Sequence, residues 1–359
     1  MRLLRLLLFP LSFLYAFGVI LRNRAYDAGL IKSRRFRIPV ISVGNLAIGG
    51  AGKSPMTEYL VSLLKEDYKL ATLSRGYGRR TKGYFEVKRS SQVEDVGDEP
   101  LQFKQKFPEV TVAVCEDRVD GIKQLNQHHK VIIMDDAFQH RAVKPGFSIL
   151  LFDYHSIFQF QWFLPSGDLR EPLSSRKRAD VIVVTKTPDE LTREARGRIE
   201  DRVKPFSNQQ LFFSYLQYGE LFSLKQSGAS RTLESVTQKT SLILLTGIAN
   251  PDPLKAKLKR YTDQISHHIY PDHHQFCKKN ISKLAADFKA LPGTDKLIIT
   301  TEKDAQRLRA PALNELLKNL PVYYLPVRAA IHQPDENRFN DLINNYVREH
   351  SVDHRIHKA

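Results

Sequence analysis

A glycine-rich segment followed by lysine and serine is the strongest chemical signal in the sequence. It runs from Gly44 as Gly-Asn-Leu-Ala-Ile-Gly-Gly-Ala-Gly-Lys-Ser, directly after the apolar run 40–43. Glycines let backbone N–H groups turn towards phosphate oxygens, the lysine reaches the terminal phosphates, and the serine hydroxyl is a ligand for Mg²⁺. The pattern predicts a loop that binds a nucleoside triphosphate, with these binding residues: Gly49, Gly50, Ala51, Gly52, Lys53 and Ser54.

The spacing departs from the strict Walker A pattern at one position. That pattern places glycine at position 47, where this chain has Ala47. A chance glycine-rich turn is the alternative interpretation. A strand pattern before the loop and a helix pattern after it favour the phosphate loop.

Two adjacent carboxylates follow a second apolar run. Residues 131–134 are Val-Ile-Ile-Met, and Asp135 and Asp136 come next. A buried strand that ends in an acid is typical of the partner strand that holds Mg²⁺ in phosphate-loop enzymes, although alone it is as often structural. Together with Ser54, both aspartates are predicted metal ligands, and which of them contacts the metal directly stays open.

The segment Thr185-Lys186-Thr187-Pro188 bears on the choice of nucleotide. GTPases read guanine with an Asn/Thr-Lys-x-Asp turn after a late strand, and here proline occupies the place of the aspartate. ATP is therefore favoured over GTP. A nucleotide-dependent switch without a small-molecule substrate remains the alternative from another functional class.

The composition of the chain indicates which binding partners and which kinds of structural site to expect. The chain of 359 residues carries a formal net charge of +16, which favours anionic partners. Its two cysteines, Cys115 and Cys277, lie far apart and outside any metal-binding spacing, so a disulfide framework and a structural zinc site are excluded. No nucleic-acid motif is present, and no obligate protein partner is inferred.

Residues 6–21 form an uncharged apolar run between clusters of arginine and lysine. As a helix the run would be about 24 Å long, short of the about 30 Å hydrocarbon core of a bilayer. Basic flanks attract anionic head groups. The pattern predicts an interfacial anchor, and a secretory signal peptide or an ordinary core helix are the alternatives.

The rest of the chain alternates short apolar runs with amphipathic stretches, which predicts an α/β protein with mostly parallel sheets. We expect a membrane-associated helix with a basic collar over residues 1–36, and a phosphate-loop NTPase-like domain over residues 37–218. A smaller α/β domain with its hinge is expected over residues 219–349, and a disordered tail over residues 350–359.

Seven further motifs occur along the chain: Leu73–Arg79, Val96–Pro100, Asp135–His140, Leu164–Glu171, Thr246–Pro251, Asp272–Phe276 and Thr300–Asp304. Together they resemble the lipid A 4'-kinase family, in order from about Val40 to Asp304. Departures are small: Ala137 stands where that family usually has glycine, and Ser54 replaces the commoner threonine. The resemblance implies transfer of the ATP γ-phosphate to the 4'-hydroxyl of a tetraacylated glucosamine disaccharide 1-phosphate, with Mg²⁺, at the cytoplasmic face of the inner membrane.

The resemblance also implies residue roles. Asp98 would be the catalytic base and His273, from the second domain, its partner; a helix-capping role for Asp98 is the alternative. Lys53 and Asp136 would act in catalysis beside them. The implied substrate-side residues are Asn45, Arg75, Glu99, Arg170 and Glu171.

The aromatic stretch Phe158–Leu164 contains the only tryptophan, Trp162. Its aromatic side chains are expected either to contact acyl chains of the lipid or to pack as part of an exposed strand.

Overall fold

Two β-sheets organise the chain in the computed structural model, which describes residue 5, residues 7–225 and residues 229–356. The nine-stranded sheet with its helices is called the large unit here, and the five-stranded sheet with its helices the small unit. Parts of the predicted anchor, hinge and tail lie outside the described residues, namely residues 1–4, 6, 226–228 and 357–359.

The large unit contains most of the predicted strand and helix alternation. After an N-terminal helix α1 (Phe9–Asp27), its strands are β1 (Val40–Asn45), β2 (Leu70–Ser74), β3 (Phe85–Glu86), β4 (Thr111–Val114), β5 (Val131–Met134), β6 (Phe147–Asp153), β7 (Val181–Thr185) and β8 (Gln210–Tyr218). Its helices are α2 (Lys53–Leu64), α3 (Val93–Val96), α4 (Asp98–Lys106), α5 (Arg118–Leu125) and α6 (Arg193–Val203).

The small unit follows with the same alternation. Its strands are β9 (Phe222–Ser223), β10 (Ser241–Thr246), β11 (Ile265–Ile269), β12 (Lys296–Thr301) and β13 (Val322–Leu325). Its helices are α7 (Asp252–Leu258), α8 (Lys278–Ala290), α9 (Glu302–Leu308) and α10 (Asn314–Leu317). The strand order is β11-β10-β12-β13-β9, and among the described strands of this sheet only the short β9 pairs antiparallel.

The chain then returns to the large unit through β14 (Val327–Ile331) and α11 (Asp335–Ile356). Strand β14 pairs antiparallel with β8, and α11 buries Phe339, Ile343 and Val347 in the core beneath the large sheet. The prediction of one C-terminal unit over residues 219–349 is therefore wrong for this last segment. The predicted disorder from His350 is also wrong as far as Ile356, because buried side chains anchor the helix and His350 bonds to the carbonyl of Tyr346.

Strand order places the reactive segments at one edge of the large sheet. The order is β14-β8-β7-β6-β1-β5-β2-β4-β3, with parallel pairing everywhere except at the two ends. Strand β1 lies between β5 and β6, so the loop after β1 and the acids after β5 emerge side by side. The predicted α/β class with a mostly parallel sheet is confirmed.

Helix α1 packs lengthwise along the segment that follows β6. The Ser12 hydroxyl donates to the Phe163 carbonyl at 3.1 Å, and the ring of Phe9 contacts Trp162 edge-on at 4.7 Å. The stretch around Trp162 is irregular, so the exposed-strand alternative is not what forms there. Within the described part of the chain, no helix is long and apolar enough to cross a membrane.

Candidate active site

The phosphate loop has the backbone that its glycines require. Gly49 and Gly52 have φ angles of 115° and 77°, a region that side-chain-bearing residues rarely adopt. Helix α2 begins at Lys53, immediately after Gly52. Its first N–H groups have no partner within the helix and point out of its N-terminus, which suits an anion.

A second segment holds this loop in place. The backbone N–H of Ile48 donates to the Asp168 carbonyl at 2.7 Å, and that of Arg170 donates to the Leu46 carbonyl at 2.7 Å. Ala47, at the position of the missing glycine, takes part in this short pairing with Leu169. The pairing places the Arg170 side chain beside the loop.

Four side chains from this region form a connected polar cluster. Arg170 grips the Asp136 carboxylate with both terminal nitrogens, at 2.8 and 3.3 Å, and also donates to Asn45 Oδ1 at 2.5 Å. The Lys53 ammonium lies 3.4 Å from Asn45 Oδ1 and 3.8 Å from Asp136. Burial opposes ionisation of Asp136, but the cations of Lys53 and Arg170 hold its pKa below the usual range. Asn45, predicted on the substrate side, accepts from both of these cations through its side-chain oxygen.

Asp135 differs sharply from its neighbour. It is buried, and the Thr57 hydroxyl of α2 donates to its carboxylate at 3.0 Å. Burial first, and then the nearby charges of Glu99 and Asp136, raise its pKa to about 7. The oxygen donors of Ser54, Asp135 and Asp136 fit a hard divalent cation such as Mg²⁺.

Metal-ligating side chains are otherwise sparse. Among the described residues, no three His, Cys, Asp or Glu side chains are grouped around one possible metal position. Mg²⁺ at nucleotide sites takes most of its ligands from phosphate and water, with one or two from the protein. We call Lys53, Asp135, Asp136 and Arg170 the phosphate half of the site.

Asp98 and His273 meet across the two units. His273 Nδ1 lies 3.0 Å from Asp98 Oδ2. Asp98 is the first residue of α4 and follows Gly97, whose φ is 91°; its other carboxylate oxygen accepts the N–H of Glu99 at 3.0 Å. His273 lies in the loop after β11 with a left-handed φ of 59°. Asp98 is the first residue of the helix, the cap position is Gly97, and no side chain among the described residues caps this end of α4, so the observed interaction is the pairing with His273.

The electrostatics of the pair come from both units. Burial disfavours the Asp98 carboxylate, but the hydrogen bond from His273 and the charges of Lys303 and Arg307 lower its pKa to about 2. The same hydrogen bond raises the pKa of His273. Asp98 is therefore ionised at neutral pH and oriented by its partner. We call Asp98, His273 and Lys303 the base half of the site.

The other residues predicted on the substrate side differ in burial and in the partners they contact. Arg75 is exposed on the loop after β2. Glu99 is partly buried and pairs with Lys303 at 3.2 Å. Glu171 is 0% exposed and its carboxylate binds Arg22 and Arg178. Direct substrate contact by Glu171 is not what the structure shows, since it joins helix α1 to the core instead.

Sequence reasoning gave no role to three polar residues that the structure brings to the site. Thr57 bonds to Asp135, Lys303 lies against His273 at 3.2 Å, and Arg118 is buried with the charges of Asp136 and Asp135 nearby. The Thr-Glu-Lys-Asp motif was the available signal for Lys303. Nothing in the spacing of Thr57 or Arg118 pointed to the site.

Comparisons with known proteins agree with one another. A model of the tetraacyldisaccharide-1-P 4'-kinase family matches residues 4–348. The chain is 43% identical to a tetraacyldisaccharide 4'-kinase of Phocaeicola vulgatus, over 96% of this chain and 95% of that protein. It is also 43% identical to one from Bacteroides thetaiotaomicron, over 96% of this chain and 93% of that protein.

A solved structure is similar along almost its entire length. The crystal structure of the "apo" form of LpxK from Aquifex aeolicus in complex with ATP superposes with a TM-score of 0.72 and 28% sequence identity. The match covers 96% of this chain and 99% of that one.

Proposed function

The chain belongs to the tetraacyldisaccharide 4'-kinase family, and from this premise we propose how the two halves of its site divide the reaction. Membership confirms the resemblance noted in the sequence. The enzyme transfers phosphate from ATP to the 4'-hydroxyl of a tetraacyldisaccharide 1-phosphate, which gives lipid IVA in lipid A biosynthesis.

The phosphate half holds the nucleotide. The N–H groups of the loop and of the first turn of α2 bind β- and γ-phosphate oxygens, and Lys53 stabilises charge that develops on the transferred group. Arg170 keeps Asp136 ionised and in place through two nitrogens. Mg²⁺, held by Ser54 and by Asp135 or Asp136, would neutralise phosphate charge when bound.

The base half activates the acceptor. The 4'-hydroxyl gives its proton to the Asp98 carboxylate while its oxygen forms a bond to the γ-phosphorus and the bond to the bridging oxygen of ADP breaks. His273 donates to Asp98 and keeps the carboxylate aimed at the hydroxyl. The single observation that carries this proposal is the 3.0 Å contact between Asp98 and His273, two residues from different units.

The experiment is transfer of labelled γ-phosphate from ATP to tetraacyldisaccharide 1-phosphate in mixed micelles. Label on the 4' position, dependent on the lipid, is expected. ATP turnover that ignores the lipid would favour a nucleotide-dependent switch, and label on a different membrane glycolipid alone would point to another acceptor. Either result would contradict the proposed reaction.

We place the nucleotide base in a cavity of about 240 Å³ beside the phosphate loop. The cavity lies between the two units, and the Lys186 ammonium in its wall comes within 3.5 Å of the position that a side chain on Gly50 would occupy. Displacement of a bound fluorescent ATP analogue by ATP and by GTP tests the preference for the base. Equal displacement would contradict the preference for ATP that was inferred from Pro188 in place of the guanine-reading aspartate. The wall includes His155, Lys186, Thr187, Asp189, Tyr218 and Arg260.

We propose that helix α1 seats the enzyme on an anionic membrane surface. Leu14 and Phe17 are 69% and 67% exposed on its outer side, and Phe160 of the neighbouring segment is 78% exposed. Arg22 binds Glu171, whereas Arg24, Lys32, Arg34, Arg35 and Arg37 of the basic collar are exposed and can face anionic head groups. Substituting Leu14 and Phe17 with serine is expected to release the protein from vesicles into the supernatant.

The matched control is Ile269→Ser, since Ile269 is 65% exposed on the small unit and far along the chain from α1. If the double variant sediments with vesicles as fully as the wild type and the control, this membrane face is wrong. The same variants, assayed with detergent-dispersed substrate, separate membrane binding from catalysis.

A further inference from the structure

Lys303 contacts the ring nitrogen of His273 that Asp98 does not, and we propose that it is a positioning residue for the base. Its ammonium sets the tautomer of His273, and so the proton that Asp98 receives in its hydrogen bond comes from Nδ1. This inference deepens the proposed function and rests on Asp98 acting as the base.

The two ring nitrogens have partners of opposite character. His273 Nδ1 lies 3.0 Å from the Asp98 carboxylate, and Nε2 lies 3.2 Å from the Lys303 ammonium. An ammonium has three donors and no acceptor, whereas an ionised carboxylate accepts only. The Asp272 carboxylate also faces Nε2 but is farther away, at 3.7 Å. Nε2 therefore accepts from the nearer Lys303 ammonium, and the single proton of the neutral ring resides on Nδ1, where it is donated to Asp98.

The location of Lys303 is unfavourable unless its neighbours require a cation. It is the second residue of α9, and the N-terminus of a helix disfavours positive charge. Three carboxylates surround the ammonium, Glu99 at 3.2 Å, Asp272 at 3.8 Å and Asp98 at 3.9 Å. Two of these come from the large unit, so the ammonium is fully paired only when the units are in contact.

One scaffold holds both Lys303 and His273. The Thr301 hydroxyl caps α9, and the Asp304 carboxylate accepts the Gly247 N–H at 3.0 Å and an Arg307 nitrogen at 2.6 Å. The Gly247 carbonyl in turn accepts the His273 N–H at 3.1 Å. The loop after β10, the His273 loop and the start of α9 are thereby fixed to one another.

The charges that face His273 act in opposite directions. Asp98 and Asp272, 3.0 and 3.7 Å from its ring nitrogens, favour a protonated ring. The Lys303 ammonium disfavours a protonated ring. Arg307 pairs with Asp98 and Glu99 pairs with Lys303, so both affect His273 indirectly. The uncharged Tyr77 ring packs 5.3 Å from the His273 ring. Removing the Lys303 ammonium leaves the carboxylates unopposed, so His273 becomes a cation that makes Asp98 a weaker base.

The test is the pH profile of kcat/KM for the lipid in the full-length enzyme and its Lys303→Met variant. We expect kcat to fall while the KM for ATP is unchanged, and the acidic limb of the profile to move up by about one pH unit. Lys303→Arg keeps the positive charge and should restore the position of that limb. Lys289→Met, an exposed lysine of the same unit, should leave the profile unchanged.

Nitrogen-15 NMR of histidine in the wild-type enzyme gives a readout that does not depend on how the variants fold. With His273→Gln used for assignment, a proton on Nδ1 and none on Nε2 near neutral pH is expected. A ring protonated on Nε2, or a Lys303→Met profile superimposable on that of the wild type, would overturn the proposal. A wild-type enzyme without lipid-dependent transfer would instead overturn the proposed function.

Discussion

The phosphate half and the base half of the site differ in where their side chains come from. Lys53, Asp135, Asp136 and Arg170 all belong to the large unit and are bonded to one another or to α2. The base half needs Asp98 from the large unit and His273 with Lys303 from the small one. In the proposed mechanism, phosphate binding is therefore built into one unit, while proton removal requires two units in contact.

This division limits when the acceptor can be activated. In the proposed mechanism, a base that is complete only when the units meet confines activation of the hydroxyl to the state in which the two units are in contact. Variants that affect one half and spare the other test the division directly.

The largest expected effect is that of Lys53→Ala. Loss of the ammonium removes charge stabilisation from the transferred phosphoryl group, and kcat should fall about 10³-fold. ATP affinity should fall as well, because the same group binds the ground-state phosphates. Isothermal titration with ATP, beside the lipid kinase assay, checks both, with Lys289→Ala as the matched control. Unchanged ATP affinity would separate Lys53 from the phosphate half.

His273→Ala should affect the base half alone. Asp98 loses its orienting donor, and kcat should fall about 10²-fold, within the range for general acid–base groups. ATP affinity should equal that of the wild type. His128→Ala, on the exposed face after α5, serves as the control. A parallel loss of ATP affinity would mean that the two halves are not separable.

Acid should weaken the contact between the units through Asp98. Its pKa is lowered to about 2 in the folded enzyme, below the ordinary value of 3.8 for an aspartate. The contribution is therefore complete above pH 4 and is lost as pH falls through 2, and it amounts to about 2 kcal/mol in the free energy of unfolding. Urea unfolding at pH 5 and pH 2.5 should show this loss in the wild type and a smaller one in Asp98→Asn.

Exposed Asp263 provides the control for that measurement, since Asp263→Asn should lose stability in acid as the wild type does. An Asp98→Asn variant with the same acid dependence as the wild type would mean that the pair across the units does not stabilise the fold.

The smallest effect concerns a polar contact beside the base half. The Lys106 ammonium of α4 lies 3.0 Å from Glu302 of α9 and also binds Glu58 of α2 at 2.5 Å. Lys106→Met leaves buried carboxylates with fewer partners and should cost about 1.5 kcal/mol. Thermal unfolding measures the loss, and retained ATP affinity is expected. Reduced ATP affinity with unchanged stability would contradict the claim that Lys106 stabilises the contact between the two units.

The phosphate half was predictable from sequence because its function resides in contiguous residues. The glycine loop with Lys53 and the acids after β5 are each recognisable from a stretch of about a dozen residues. Parallel pairing of their strands is enough to bring the two motifs together. Arg170 required the family motif, because its approach depends on backbone pairing between residues 46–48 and 168–170. Local chemistry does not reveal such a pairing.

The base half and the end of the chain were less predictable, for the same reason. Asp98 and Lys303 are 205 positions apart, and only the packing of α4 on α9 brings them together. Strand β14 was missed because Val-Arg-Ala-Ala-Ile has little apolar bulk, and its place is set by pairing with β8. Long-range contacts determine both the base half of the site and the position of β14, and a local sequence pattern does not predict such contacts.

The most direct test of the division between the two halves is an Asp98→Ala enzyme assayed for ATP binding and for lipid-dependent ADP release in mixed micelles with Mg·ATP. The account predicts wild-type affinity for ATP together with loss of lipid-dependent turnover. Turnover that survives the substitution, or ATP affinity lost with it, would contradict the assignment of Asp98 as the base of a site completed by the second unit.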